Sequence, residues 1–370
     1  MDKKSIGIIT MHRVVNYGSA LQAWALQRVL QRAGHEVQLI DYVFPTKAFR
    51  KKNKIPRWLR VARFCLHLLQ GFPQKKKRQM FEEFWSQNYC LTKSYFTHEE
   101  LTTNPPQFDC YMAGSDQIWN PKNILRDSSF LLDFVPKGKR KVSYASSLAV
   151  AAVSEECAEL LRKNLSDFDS IGVREQNGAK LLEKILHREI KVCLDPTLLL
   201  QREDYEPLIS QSKLNIDEPF ILVYVLKYAL NPYPYISRLI EAAQRQFNLP
   251  IVCLDFSSRE HLHCKNVRNF HDVASPSDFL WLIAHATLVI TTSFHGTVFS
   301  VNFGTPVYSI YDKSKGDDRI KSFMEMAGMG NHALYVGEPC SEFDAQPIAP
   351  KKLEELRKES LAFLQESIKQ

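Results

Sequence analysis

The 370-residue chain is 45% hydrophobic and 11% aromatic, a composition that excludes a disordered or fibrous protein, and its length suggests two cores. Lys and Arg number 48 against 41 Asp and Glu, a net charge of +7. No apolar stretch approaches the roughly 20 residues that span a bilayer, and the eight cysteines show neither a Cys-x-x-Cys pair nor metal-ligand spacing, so reduced thiols and no metal or cofactor are expected.

The first ten residues hold a hydrophobic run too short for a signal peptide, and the cytoplasm is the expected location. Residues 5–10 predict a buried strand. Residues 19–33 predict a helix with Leu21, Ala25, Leu26, Val29 and Leu30 on its apolar face, closed by Gly34. A strand at 36–42 follows.

Between Tyr42 and Arg78 lie twelve Lys or Arg residues and no Asp or Glu; without them the chain has 36 basic against 41 acidic residues. In this segment Pro56 can open and Gly71 can close an amphipathic helix, with Trp58, Leu59, Val61, Ala62, Cys65, Leu66 and Leu69 opposite Arg57, Arg60, Arg63 and His67. Two readings stand. The helix packs on its domain with a solvated basic rim, or it docks on an anionic membrane surface or lipid-linked substrate, each basic residue adding about 1 kcal/mol near such a surface. Nucleic acid is not expected, because no recognition module or interleaved aromatic pattern accompanies the charge.

Beyond the insert, a helix is predicted at 78–87 and strands at 109–113, 130–134 and 141–145. A helix at 154–164, a strand at 170–173, a helix at 176–186 and a strand at 190–194 complete the first half. The charged stretch 201–219, which contains Pro207, reads as a linker. The second half is predicted as strand 220–226, helix 235–247, strand 251–255, helix 277–285, strand 287–290, helix 295–302 and strand 306–310. An amphipathic helix at 351–368 ends the chain. The expected division is a domain at 1–200 with its basic insert at about 45–78, a linker at 201–218, a second domain at 219–345 and a terminal helix at 346–370. Strand–helix alternation in both parts predicts an α/β protein of two Rossmann-like, doubly wound parallel-sheet domains facing across a cleft.

Polar clusters just after predicted strands are candidates for a site, because open parallel sheets bind ligands at the carboxyl ends of their strands. The most informative is Ser293-Phe294-His295-Gly296, where the strand ends and leaves a histidine expected to face solvent; a histidine there can exchange protons near neutral pH beside an anion held by a helix N-terminus. Asn16-Tyr17-Gly18-Ser19 reads either as a tight turn with Ser19 as N-cap or as ligand contact. Ser115-Asp116-Gln117 and Trp119 form a dense polar loop suited to substrate contact. Arg174-Glu175 offers either a guanidinium for carboxylate or phosphate, or an exposed pair opening a helix. Asp195, before Pro196, reads as a turn cap rather than a reacting group.

Together, Asn16-Tyr17-Gly18-Ser19 with Leu21-Gln22-Ala23, Gly114 to Asn120, Arg174-Glu175, Asp195-Pro196-Thr197 and Ser293 to Gly296 resemble the polysaccharide pyruvyl transferase family. The resemblance runs from Ile6 to about Gly328 and leaves out the basic insert and the terminal helix. It implies a GT-B-like fold and transfer of pyruvate from phosphoenolpyruvate to a saccharide acceptor as a cyclic ketal. On this resemblance His295 is the group for proton transfer or phosphate contact, Asp116 a second catalytic group, and Arg174 a ligand of the anionic donor. Many members carry Arg-Leu where this chain has Ser293-Phe294; Arg319, Lys313 or Lys315 could supply the second cation. A nucleotide-sugar donor and a non-catalytic docking role are the alternatives.

Overall fold

The structure, a computed structural model, describes residues 3–44, 73–226, 230–254, 263–270, 273–314 and 317–369. Among these residues twelve strands form two sheets. The first holds β1 (Ser5–Ile9), β2 (Glu36–Leu39), β3 (Cys110–Ala113), β4 (Arg140–Ser146), β5 (Ser170–Val173) and β6 (Lys191–Val192) in the order β2-β1-β3-β4-β5-β6. The second holds β7 (Ile221–Tyr224), β8 (Ile251–Leu254), β9 (Val267–Asn269), β10 (Leu288–Thr291), β11 (Val307–Tyr311) and β12 (Ala333–Tyr335) in the order β12-β11-β10-β7-β8-β9. Every pairing is parallel. The inner strands β3, β7 and β10 (Cys110–Ala113, Ile221–Tyr224 and Leu288–Thr291) are buried along their whole length, the mark of a sheet covered on both faces.

In chain order the helices are α1 (Tyr17–Arg32), α2 (Pro73–Asn88), α3 (His98–Thr103), α4 (Pro121–Ile124), α5 (Glu155–Leu165), α6 (Gln176–Leu186), α7 (Arg202–Ile209), α8 (Tyr235–Phe247), α9 (Pro276–His285), α10 (Phe294–Phe303), α11 (Arg319–Met326) and α12 (Lys351–Ile368). No helix among the described residues is long and apolar enough to cross a membrane. The expected strand at 130–134 is instead a 3-10 turn, Ser128–Leu131, because the Asp127 side chain accepts from the Ser129 amide and caps it. The stretch 201–219 carries α7, opened by a capping box between Gln201 and Asp204. The amphipathic helix expected between Pro56 and Gly71 lies outside the described residues. Of the basic run, α2 carries Lys75, Lys76 and Arg78 exposed and Lys77 buried, its ammonium 4.8 Å from the Tyr17 ring centroid.

The two halves meet through apolar packing. Tyr17 stacks on Phe279 with ring centroids 4.9 Å apart, and Trp24 leans on Tyr205, which packs on Phe299 and Phe303. The terminal helix returns to the first sheet: Arg140 Nε donates to the Ser367 carbonyl at 2.8 Å, and the Phe363 ring lies against Gly172, where a Cβ would come within 2.5 Å. Arg357, buried in α12, donates to the Leu198 carbonyl at 2.6 Å and to Asn302 Oδ1 at 3.0 Å, fastening the crossing between the sheets to both halves. The carboxyl edges of the sheets are thereby held facing each other.

Candidate functional site

Five strand ends converge on this junction. After β1, Asn16 caps α1, its side chain accepting from the Ser19 amide at 3.0 Å. The cap is therefore Asn16 and not Ser19, and Gly18 lies in the first turn. After β3 comes the loop with Ser115, Asp116 and Gln117; Gly114 has φ 142, and an added Cβ would come within 2.0 Å of the Tyr144 carbonyl, so only glycine fits. Arg174 follows β5 and Asp195 follows β6. After β10, Ser293 caps α10 by accepting from the Gly296 amide at 3.2 Å, and His295 sits in the first turn. The N-termini of α1 and α10 thus face each other, two positive helix ends from opposite halves.

His295 is buried, only 7% exposed, which corrects the expectation of a solvent-facing histidine: its side chain packs against Gly18, where an added Cβ would be 2.0 Å from Nδ1. Arg174 and Glu175 are equally buried, which removes the reading of an exposed pair. Arg174 Nη1 donates to Asp195 Oδ2 at 2.7 Å and Nη2 stands 3.6 Å from Asp116 Oδ1. Ser19 Oγ donates to Asp116 Oδ2 at 2.5 Å. Burial acts to raise the Asp116 carboxyl, but Arg174 and His295 outweigh it and hold it below the usual carboxylate range. Glu175 is the opposite case, since burial prevails over Arg174 and its carboxyl is pushed up. Its Oε1 accepts from the amides of Leu148 and Ala149 at 2.9 and 3.1 Å, while Oε2 finds no partner among the described residues.

Four expectations change. Asp195 caps its turn as expected, accepting from the Thr197 amide, yet it also lies at the centre of the charge cluster. Tyr17 and Trp119 are fully buried and face away from the cluster: the Tyr17 hydroxyl donates to the Ala274 carbonyl at 3.1 Å within the seam, and Trp119 Nε1 donates to the Phe130 carbonyl at 2.9 Å within the first core. Lys313 stands over the Tyr335 ring, and Lys315 lies outside the described residues.

Arg319 does reach the cluster. Its guanidinium pairs with Asp317 at 2.5 and 2.7 Å and donates at 2.6 and 2.9 Å to the Gln117 side-chain oxygen, in the amide orientation that satisfies both groups. The Phe294 ring lies between the two guanidiniums, 4.4 Å from that of Arg174 and 5.9 Å from that of Arg319. Ser115, with Oγ 3.1 Å from Asp195 Oδ2, Ser293 and Gly296 complete the wall; a Cβ on Gly296 would strike Thr291 Oγ1 at 2.7 Å. Arg174 Nε and Nη2 and His295 Nε2 are buried without hydrogen-bond partners among the described residues. Such groups are costly to leave unpaired, and the Arg174 donors suit an anion. No cluster of three or more His, Cys, Asp or Glu among the described residues could hold a metal ion. Asp317 was missed as a member of the cluster, and Asp195 was read only as a turn cap, though it carried the same signal as the others, a polar residue directly after a strand.

A family model described as polysaccharide pyruvyl transferase matches residues 16–314, most of the chain. No curated protein sequence matches it. Among solved structures, a Listeria monocytogenes protein described as a UDP-N-acetylglucosamine 2-epimerase superposes with a TM-score of 0.50 at 11% identity, covering 99% of this chain and 90% of that one. The UDP-GlcNAc 2-epimerase of Methanocaldococcus jannaschii gives 0.49 at 10% identity over 96% of this chain and 98% of its own. Arabidopsis thaliana UGT89C1, complexed with quercetin, gives 0.48 at 10% identity over 99% and 90%. At such identities the likeness concerns the two-sheet GT-B arrangement alone.

Proposed function

The chain belongs to the polysaccharide pyruvyl transferase family, and from that premise we propose that it transfers pyruvate from phosphoenolpyruvate to a sugar of a surface polysaccharide or its lipid-linked precursor. The observation that carries this reading is the pair of buried Arg174 donors without hydrogen-bond partners among the described residues, Nε and Nη2, with the His295 ring beside them at two helix N-termini. A small dianion with a carboxylate and a phosphate supplies acceptors for such a set. In the reaction a sugar hydroxyl adds to the enol carbon while a proton goes to the methylene carbon; a second hydroxyl then displaces phosphate and closes the ketal. His295 is the proton-exchanging group, Asp116 the carboxylate that takes up a hydroxyl proton, and Arg174 with Arg319 the cations. The cavity beside Phe294 and Arg319, about 50 Å³, is lined by residues of the second half alone, among them Thr292, Tyr311 and Asp317.

The test is release of inorganic phosphate from phosphoenolpyruvate in the presence of pyruvylatable saccharides, with loss of turnover in His295→Ala. No release with any acceptor, or an unchanged His295→Ala, refutes the reading. One observation favours a second donor: Ser293 and Phe294 stand where many members carry Arg-Leu. Thermal stabilisation by UDP or GDP but not by phosphoenolpyruvate supports a nucleotide-sugar donor, since a ligand at 100 times its Kd adds about 2.7 kcal/mol. Docking of the basic segment on anionic membranes is compatible with either donor. It is checked by co-sedimentation with anionic vesicles, which neutralising Arg57, Arg60 and Arg63 is expected to abolish.

A further inference from the structure

Asp195 lies at the crossing between the two sheets with its side chain fully buried. Oδ1 is used by the turn it caps, accepting from the Thr197 amide at 3.1 Å and hydroxyl at 2.8 Å. Oδ2 has a different set of neighbours. It accepts from Arg174 Nη1 at 2.7 Å, lies 3.1 Å from Ser115 Oγ, and stands 3.7 Å from His295 Nε2. That nitrogen is buried and makes no hydrogen bond, so the acceptor it faces is a carboxylate oxygen a few tenths of an ångström beyond bonding distance.

We infer that Asp195 is a positioning residue that joins Arg174 of the first half to His295 of the second and keeps a proton on His295 Nε2, leaving Nδ1 as the nitrogen that exchanges protons with a ligand. Only an N–H can face a carboxylate favourably, and the partner of one ring nitrogen decides the state of the other. Nδ1 lies over Gly18, at the meeting of the two helix N-termini where an anion is favoured. The inference rests on the proposed role of His295 but concerns the ring itself. Besides Asp195, the charged groups around His295 are Asp116, from the loop after β3, Arg174 after β5 and Arg319 on α11, whereas α1 contributes Gly18 and Ser19 without a titratable group. Burial acts to raise the Asp195 carboxyl, but His295 and Arg174 overcome it and keep the group ionised far below the usual carboxylate range.

The test is ¹⁵N NMR of the full chain labelled at histidine, with the His295 signal identified by its loss in His295→Gln. Above its titration, wild type is expected to carry the proton on Nε2. Asp195→Asn keeps the volume and an Oδ1 acceptor for Thr197, and it is expected to relax the tautomer. Ser115 Oγ also lies 2.9 Å from the Ala145 carbonyl and its one proton serves only one of the two acceptors, so Ser115→Ala is expected to leave the proton on Nε2. A proton on Nδ1 in wild type, or an Nε2 tautomer unchanged in Asp195→Asn, overturns the inference; if Asp195→Asn does not fold, the wild-type tautomer decides. Absence of phosphoenolpyruvate turnover alongside the expected tautomer would refute pyruvyl transfer and leave this inference standing.

Discussion

The imidazole of His295 occupies the space that a side chain on Gly18 would need: an added Cβ would come 2.0 Å from Nδ1, 2.1 Å from Cγ and 2.6 Å from the His295 Cβ. Two residues 277 positions apart, each in the first turn of a helix, are thus in direct contact across the seam. Gly18→Ala is expected to push the two helix ends apart, costing about 1–3 kcal/mol as overpacking does, and to abolish turnover. His295→Gly added to it is expected to recover part of the lost stability, because Nδ1, Cγ and the His295 Cβ are then all gone. Thermal or urea unfolding of the double-mutant cycle checks this; simple additivity would mean that the helix ends do not touch.

Arg174 is compensated by Asp195 and Asp116 in a site without water access. Arg174→Ala is expected to cost stability as well as activity, by about 3–5 kcal/mol, because two buried carboxylates lose their cation. Arg174→Lys keeps the charge and loses the fork, so it is expected to stay folded while its KM for the anionic donor rises at least tenfold. Urea unfolding and steady-state kinetics on both variants separate the two effects.

Arg319 pairs with Asp317 and holds Gln117 of the opposite half. If it serves as the second cation, Arg319→Lys raises the donor KM by about tenfold, the weight of one charge-assisted hydrogen bond, whereas Lys313→Ala leaves it unchanged. A donor KM insensitive to Arg319→Lys would assign the residue to closure of the seam alone.

Tyr17 serves the seam and does not face the cluster. Tyr17→Phe keeps the stack on Phe279 and loses one hydrogen bond to the Ala274 carbonyl, for about 1 kcal/mol and an unchanged KM. Tyr17→Ala empties the seam, for about 3–5 kcal/mol. A raised KM with unaltered stability in Tyr17→Phe would return the hydroxyl to the substrate.

Two buried carboxylates predict opposite responses to pH. Burial acts to raise the Asp41 carboxyl, but His12, Arg13 and Ser94 hold it well below the usual range. Both His12 ring nitrogens face acceptors, the Thr10 carbonyl and Asp41, each at 3.0 Å. A carboxyl depressed in the folded state stabilises above its unfolded pKa of about 3.9 and loses that contribution as pH falls below it. Asp41→Asn is therefore expected to be about 3 kcal/mol less stable than wild type at pH 7, with a gap that narrows below about pH 4. Glu175 has its carboxyl raised, so wild type gains stability relative to Glu175→Gln as pH falls toward the unfolded value. Chemical unfolding of the three proteins between pH 7 and 3 checks both signs.

Hydrophobic periodicity and caps made the alternating elements legible: α6, α8 and α12, and strand β5, fall where the pattern predicts them. The turn at Ser128–Leu131 was misread because Phe130, Leu131 and Leu132 form an apolar run like a strand's, and only the Asp127 cap turns it. The short edge strands β9 and β12, of three residues each, offer no period to read.

What the sequence by itself determined is local: where parallel strands end, and that Asn16, Asp116, Arg174, Asp195 and His295 follow those ends, since alternation and capping act within one or two turns of chain. Tertiary structure decided which of these side chains share a space. It buried His295 on Gly18, moved Asp195 from a turn cap to the centre of the charge cluster, turned Tyr17 and Trp119 into cores, and brought Arg319 to Gln117. The reason is physical. Burial and pairing of charge depend on how the two sheets are docked, and that docking is set by seam contacts such as Tyr17 on Phe279 and Tyr205 on Phe299, between residues far apart in the chain.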